Sequence, residues 1–299
     1  MCDDITLELD ELRVFLRKTI KEDLETEYSL MYGVHRDEHS PSAILKLELK
    51  AKNGHIVQPK IFQAIAILRL FCVGSVKYIS YKMDSESIGD LTKAGIVTSG
   101  WSEFALEKAS IDIEKSKRIK QFWQYMIQAL PEIFYNGENL EQKSSTIAYS
   151  RYCDALLSSG VLEKRIASAV MGLESTFLKG SDNNELTYKL SMRCAKVFSF
   201  ILNDPYKAKS IISTSYKIRS SYVHGDMLSD KEKRKIEKTY GNVHELLLLL
   251  LDYLRISIII NLLIGLNKED FINLVDSALF DPAKNDNLKI LMNNISDYI

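Results

Sequence analysis

The sequence predicts a mainly α-helical protein: an antiparallel helical bundle over residues 111–299, preceded by a small mixed α/β domain over residues 1–110. Three observations carry this. From about Ser110 onward apolar residues recur at helical spacing almost to the end. The breaks between those stretches are short and rich in Gly, Ser, Asn and Asp, as antiparallel neighbours require. Upstream, Ile44 to Ala51 and Val76 to Met83 alternate apolar and polar residues, as half-buried strands do.

The elements follow in order. The spacing of Leu9, Leu12, Phe15, Leu16 and Ile20 predicts an amphipathic opening helix. The strand at Ile44–Ala51 runs into an Asn53-Gly54 turn. Pro59 opens a helix through Phe71, because a first turn tolerates the missing N–H. A second strand covers Val76–Met83. Helices are then expected at Ile111–Leu130, Leu140–Leu157, Val161–Leu178, Glu185–Leu202, Pro205–Val223 and Ser229–Leu266, with short ones near 268–280 and 285–297. Asn136-Gly137, Ser158-Ser159-Gly160, the run from Gly180 to Asn184, and His224-Gly225-Asp226 mark loops.

Composition narrows the classes. With 46% hydrophobic and 26% charged residues the chain has material for a sizeable core and does not read as disordered. Its 39 basic and 40 acidic side chains nearly cancel, so any affinity for nucleic acid has to come from local charge. Cys2, Cys72, Cys153 and Cys194 are scattered, which suits reduced thiols in the cytoplasm. The opening MCDDITLELDEL is acidic and has no uninterrupted apolar core, unlike a signal peptide. The apolar run Val243–Leu266 is interrupted by His244, Glu245, Asp252 and Arg255, so a membrane span is not expected. A helix apolar on nearly all sides reads as a bundle centre or a dimer face.

The run from Tyr216 to Asp226 holds the chemistry. Arg219 and His224 stand five residues apart, with Ser220 directly after the Arg and Gly225 directly after the His. An imidazole can take the proton of a ribose 2′-OH, and a fixed cation can hold the charge that builds on phosphate. Breaking RNA in this way needs no metal. On a helix Ser220 lies one turn below His224 and can orient its ring, while Arg219 is offset to the side. Gly225 ends the helix. Around the motif, Lys207 to Tyr240 holds nine Lys or Arg against four Asp or Glu. Lys207, Lys217, Lys231, Arg234 and Lys235 in that stretch are candidates for phosphate contact.

Three blocks of this half, taken together, resemble the Apea-like branch of the HEPN superfamily. They are Ala169-Val-Met-Gly-Leu-Glu-Ser-Thr-Phe-Leu178, Glu185-Leu-Thr-Tyr-Lys-Leu-Ser-Met-Arg-Cys-Ala195, and the Tyr216–Asp226 run. The resemblance implies a helical bundle that acts as a dimeric, metal-independent endoribonuclease, often in toxin or antiphage defence systems. It implies Arg219, Ser220 and His224 as catalytic residues, with Glu174 and Arg193 at further matching positions; Tyr222 and Asp226, in the same run, are candidate supporting residues. Two copies of the motif across a two-fold axis would supply both the base and the acid that the cut needs. The products implied are a 2′,3′-cyclic phosphate and a 5′-hydroxyl. Some modules of this kind are catalytically inactive and serve instead in dimerisation or in binding RNA or a ligand.

One further motif competes. His35-Arg-Asp-Glu-His39 matches the H-x-x-E-H zinc pattern, but Gly33 and Pro41 leave little room for the helix it needs. His55 and His244 have no partners at ligand spacing, and no metal or cofactor is expected. The expected partners are RNA and a second copy of the chain, with a protein or ligand at the N-terminal domain.

Overall fold

The structure is a computed structural model. It describes residues 57–74, 76, 113–130, 143–158, 160–296 and 298–299, together with the backbone of three strands. The described part is mainly helical, as the periodicity predicts.

The N-terminal end departs from expectation. Instead of a helix, β1 (Ile5–Leu9) and β2 (Leu12–Lys18) pair antiparallel, with Leu9 opposite Leu12 and Ile5 opposite Leu16. The apolar residues that suggested a 3.6-residue period also fit a period of two: Ile5, Leu7 and Leu9, then Leu12, Val14 and Leu16. Only Asp10 and Glu11 separate the two runs. Hairpin spacing therefore prevails over the helical reading. The strand expected at 44–51 is β3 (Ala43–Leu49), which pairs with β2 to complete the order β1-β2-β3. The Asn53-Gly54 turn, the Asn136-Gly137 loop, the His35–His39 motif and all of the 76–83 strand but Val76 lie outside the described residues.

Ten helices follow among the described residues: α1 (Val57–Phe71), α2 (Ile113–Ala129), α3 (Ser144–Leu157), α4 (Leu162–Phe177), α5 (Leu186–Ile201), α6 (Pro205–Val223), α7 (Asp230–Tyr240), α8 (Val243–Leu263), α9 (Lys268–Ser277) and α10 (Pro282–Ser296). The single long helix expected over 229–266 is two. Gly241, at φ 92°, takes a backbone conformation that side chains disfavour and ends α7. Asn242 then caps α8 by accepting the N–H of Glu245 at 2.8 Å. A capping box of Ser229 and Glu232 starts α7.

Helix α8 is the axis of the bundle. Leu246, Leu247, Leu250, Leu251, Leu254 and Ile258 are fully buried against α3, α4 and α6. At about 1.5–3 kcal/mol per buried aliphatic side chain, this seam is a major source of stability. The helix is long and apolar enough to cross a membrane by composition, yet 67% of its apolar window is covered by the rest of the chain. Most of its apolar surface is thus used inside the bundle. Gly172 of α4 permits the closest approach to α8: a Cβ there would meet Leu254 methyls at 2.7 and 2.9 Å.

Three buried arginines close helix ends. Arg165 donates to the carbonyls of Ala155 and Leu156 at the end of α3. Arg193 donates to Phe177 O at the end of α4. Arg255 donates to Leu70 O and Phe71 O at the end of α1. Each meets carbonyls that have no partner within their own helix. Helix α1, read from sequence as part of the N-terminal domain, thereby shares the bundle core: Ile67 and Leu70 are fully buried, and the Tyr152 hydroxyl donates to Arg69 O.

Candidate functional site

Helix α6 presents both motif residues. Its start is set by Asp204, whose carboxylate accepts the N–H of Lys207, and by Pro205 in the first position. Its end is a Schellman turn. Asp226 N–H donates to Ser221 O at 2.9 Å and Gly225 N–H to Tyr222 O at 3.1 Å, with Gly225 at φ 89°. His224 is the capping residue of this turn.

The imidazole of His224 is exposed, and among the described residues no side chain bonds it. Its backbone N–H reaches Ser220 O at 3.2 Å and Ser221 O at 3.1 Å. The contact between Ser220 and His224 is therefore through the main chain. Among the described residues no hydrogen bond from the Ser220 hydroxyl to the ring is present. Tyr222 and Asp226 enter through the turn: Tyr222 is half-buried and Asp226 exposed.

Arg219 faces the other way. Five residues along a helix turn by about 500°, so Arg219 and His224 point about 140° apart. Arg219 lies on the face that carries Ile211, Ile212, Ser215 and Ile218, all buried. Its Nη2 donates to Glu174 Oε2 of α4 at 3.4 Å, and its guanidinium carbon stands 5.6 Å from the centre of the Tyr216 ring. Its Nε is buried with no hydrogen-bond partner among the described residues. Burial pushes the Glu174 carboxyl above its ordinary range, and Arg219 and the Tyr216 hydroxyl partly offset this. Burial and the Glu174 charge raise the Tyr216 phenol. The site thus contains an Arg219–Glu174–Tyr216 cluster on the inner side of α6, with His224 on the outer side. Tyr216 is the member that motif reading missed. Its position three residues before Arg219, on the same face, was the available signal.

Arg193 belongs elsewhere. Its side chain is 5% exposed and binds Asp182 Oδ2 at 2.6 Å and Asp276 at 2.7 and 2.8 Å. It ties α5 to the loop after α4 and to α9. Burial acts to raise the Asp182 carboxyl. Hydrogen bonds from Arg193, Lys189 and the Lys179 N–H outweigh that and hold it well below the usual carboxylate range. Of the expected cationic positions, Lys207 and Lys217 are exposed on α6, and Lys231, Arg234 and Lys235 on α7. Among the described residues no group of three or more His, Cys, Asp or Glu side chains could hold a metal ion.

Compared with protein families, curated proteins and solved structures, the chain matches none.

Proposed function

We propose that this chain is a cytosolic, metal-independent endoribonuclease of HEPN type that works as a homodimer, of the kind found in toxin or antiphage defence systems. The observation that supports it most is the state of His224. An exposed imidazole without a side-chain partner stands at the end of a helix that holds Lys207, Lys209, Lys217 and Arg219 and no carboxylate. Such a ring is free to accept and return protons, and the helix attracts phosphate.

In this reading His224 takes the 2′-OH proton, and the 2′-oxygen forms a bond to phosphorus. The bond from phosphorus to the 5′-oxygen breaks, and His224 of the second copy protonates the leaving oxygen. Arg219 holds the phosphate through Nη1 while Glu174 keeps Nη2. The products are a 2′,3′-cyclic phosphate and a 5′-hydroxyl. DNA lacks the nucleophile and is not cut.

A second reading has one observation in its favour. Arg219 is already paired with Glu174 and diverges from His224 within the chain, as a structural arginine would. The helical part is then a non-catalytic module that dimerises and binds RNA or a ligand. Labelled RNA in EDTA, incubated with wild type and with His224→Ala, separates the two. Cleavage lost in a folded His224→Ala protein supports the nuclease. Cleavage that survives the substitution, or none by wild type across structured and unstructured RNA, supports the module.

A further inference from the structure

Tyr206 is 86% exposed, an unusual state for an aromatic ring on an ordered helix. It occupies the second position of α6 and is separated from His224 by 18 residues, 224 minus 206. At 3.6 residues per turn this is five full turns, so the two side chains leave the axis in the same direction, about 27 Å apart. Ser210, Ser213, Lys217 and Ser220 lie within about 40° of the line that joins them. Lys209, one turn from Tyr206, places its Nζ 6.0 Å from the ring centre of Tyr188 on α5, itself 57% exposed. The outer face of α6 is therefore a strip: two exposed tyrosines around a lysine at one end, hydroxyls and a second lysine along its length, with the Ser210 hydroxyl already bonded to that of Tyr240 at 2.7 Å, and the exposed imidazole at the other.

Nothing in the fold accounts for Tyr206. It contributes to no core, and Asp204, two residues before it, is engaged in capping the helix. Solvated helical faces usually interleave both charges, as α7 does with Asp230, Glu232 and Glu237 among its lysines. The strip on α6 has cations and hydroxyls only. Lysines and serines bind phosphate oxygens, and an exposed ring stacks on a base that is not already paired.

We infer that Tyr206, with Lys209 and Tyr188, is an anchor that stacks an unpaired base of the RNA, so that the strand runs along the outer face of α6 to His224. The inference rests on the nuclease reading and names its remote subsite. A path of about 27 Å accommodates on the order of four or five extended nucleotides, within the roughly 4–16 that single-strand sites cover. The anchor fixes which nucleotide reaches the imidazole, counted from the stacked base.

The experiment measures binding apart from cutting. The probe is a 2′-O-methyl oligouridylate of about twelve nucleotides, which cannot be cleaved, offered single-stranded and as a duplex. Wild type, Tyr206→Ala and Tyr206→Phe are compared as full chains. Tyr206→Ala should weaken single-strand binding by a factor of about 5 to 150, the range that loss of one stacked base spans. Tyr206→Phe keeps the ring and should bind as wild type does, and duplex affinity should not change. Equal single-strand affinity of wild type and Tyr206→Ala overturns the anchor, as it would if this face served a protein partner. If such a Tyr206→Ala protein still cuts unmodified RNA, the nuclease reading stands without the anchor. If Tyr206→Ala loses binding but wild type cuts nothing, the anchor stands and the nuclease reading falls.

Discussion

Arg219 donates to Glu174 across 3.4 Å, and this bond lies on the side of α6 that faces away from His224. Two residues five apart in sequence thus play different parts. One joins α6 to α4 from within, and the other ends the helix in solvent.

Substitutions at the two positions should therefore differ in stability. His224→Ala should unfold as wild type does, within about 0.5 kcal/mol, since the ring makes no side-chain bond among the described residues. Arg219→Ala leaves the mostly buried Glu174 carboxylate without its cation and should cost about 1–3 kcal/mol. Denaturant unfolding checks the contrast, while RNA cleavage should be lost in both. Arg219→Lys should cut poorly, because an ammonium lacks the planar fork.

Gly172→Ala should destabilise the bundle. Helix propensity alone favours Ala by about 1 kcal/mol. The added methyl would meet Leu254 at 2.7 Å and Arg151 Cβ at 3.3 Å, and Leu254 is fully buried. Overpacking of this kind costs about 1–3 kcal/mol, so the net should be a loss. A thermal midpoint at or above wild type would show that α4 and α8 can move apart at no cost.

Acid should weaken the fold through Asp182. Its folded carboxyl lies below the ordinary 3.8, so its contribution is complete above that value and is lost as pH falls through the folded one. Asp182→Asn should cost about 3 kcal/mol at neutral pH and flatten the acid limb of a stability-against-pH curve. Glu174 acts in the opposite sense. Its folded carboxyl lies above 4.5, so its ionisation takes stability away as pH rises from there. Glu174→Gln should remove that decline.

Chelation should leave cleavage intact. In the proposed mechanism His224 and Arg219 supply proton transfer and charge without a metal ion. Activity in EDTA and elemental analysis of the purified protein check this. Stoichiometric zinc with an EDTA-sensitive peptidase activity would point to His35 and His39 instead.

The helical order was legible because its signals are local. Asp204-Pro205 and Gly225 bound α6 at the residues where it begins and ends. Gly241-Asn242 carried an equally local signal, yet the leucine run after it masked the break between α7 and α8. Residues 5–18 were misread because a few apolar positions satisfy periods of both two and 3.6. What sequence could not show is partnership at a distance. Glu174 is 45 residues from Arg219, and Asp276 is 83 from Arg193. No spacing rule links such pairs, and they decide which arginine joins helices and which is left to meet a ligand.

The arginines that close helix ends also set how the protein comes apart. Arg255 holds the last carbonyls of α1 from 185 residues away, and Arg165 and Arg193 hold those of α3 and α4. A helix end usually frays alone, at little cost. Here each of these ends is released only when another helix lets go of it. Thermal motion that would elsewhere nibble at one terminus must here loosen several helices together. The amides in the last turns of α1, α3 and α4 should exchange with solvent at the slow pace of whole-bundle opening.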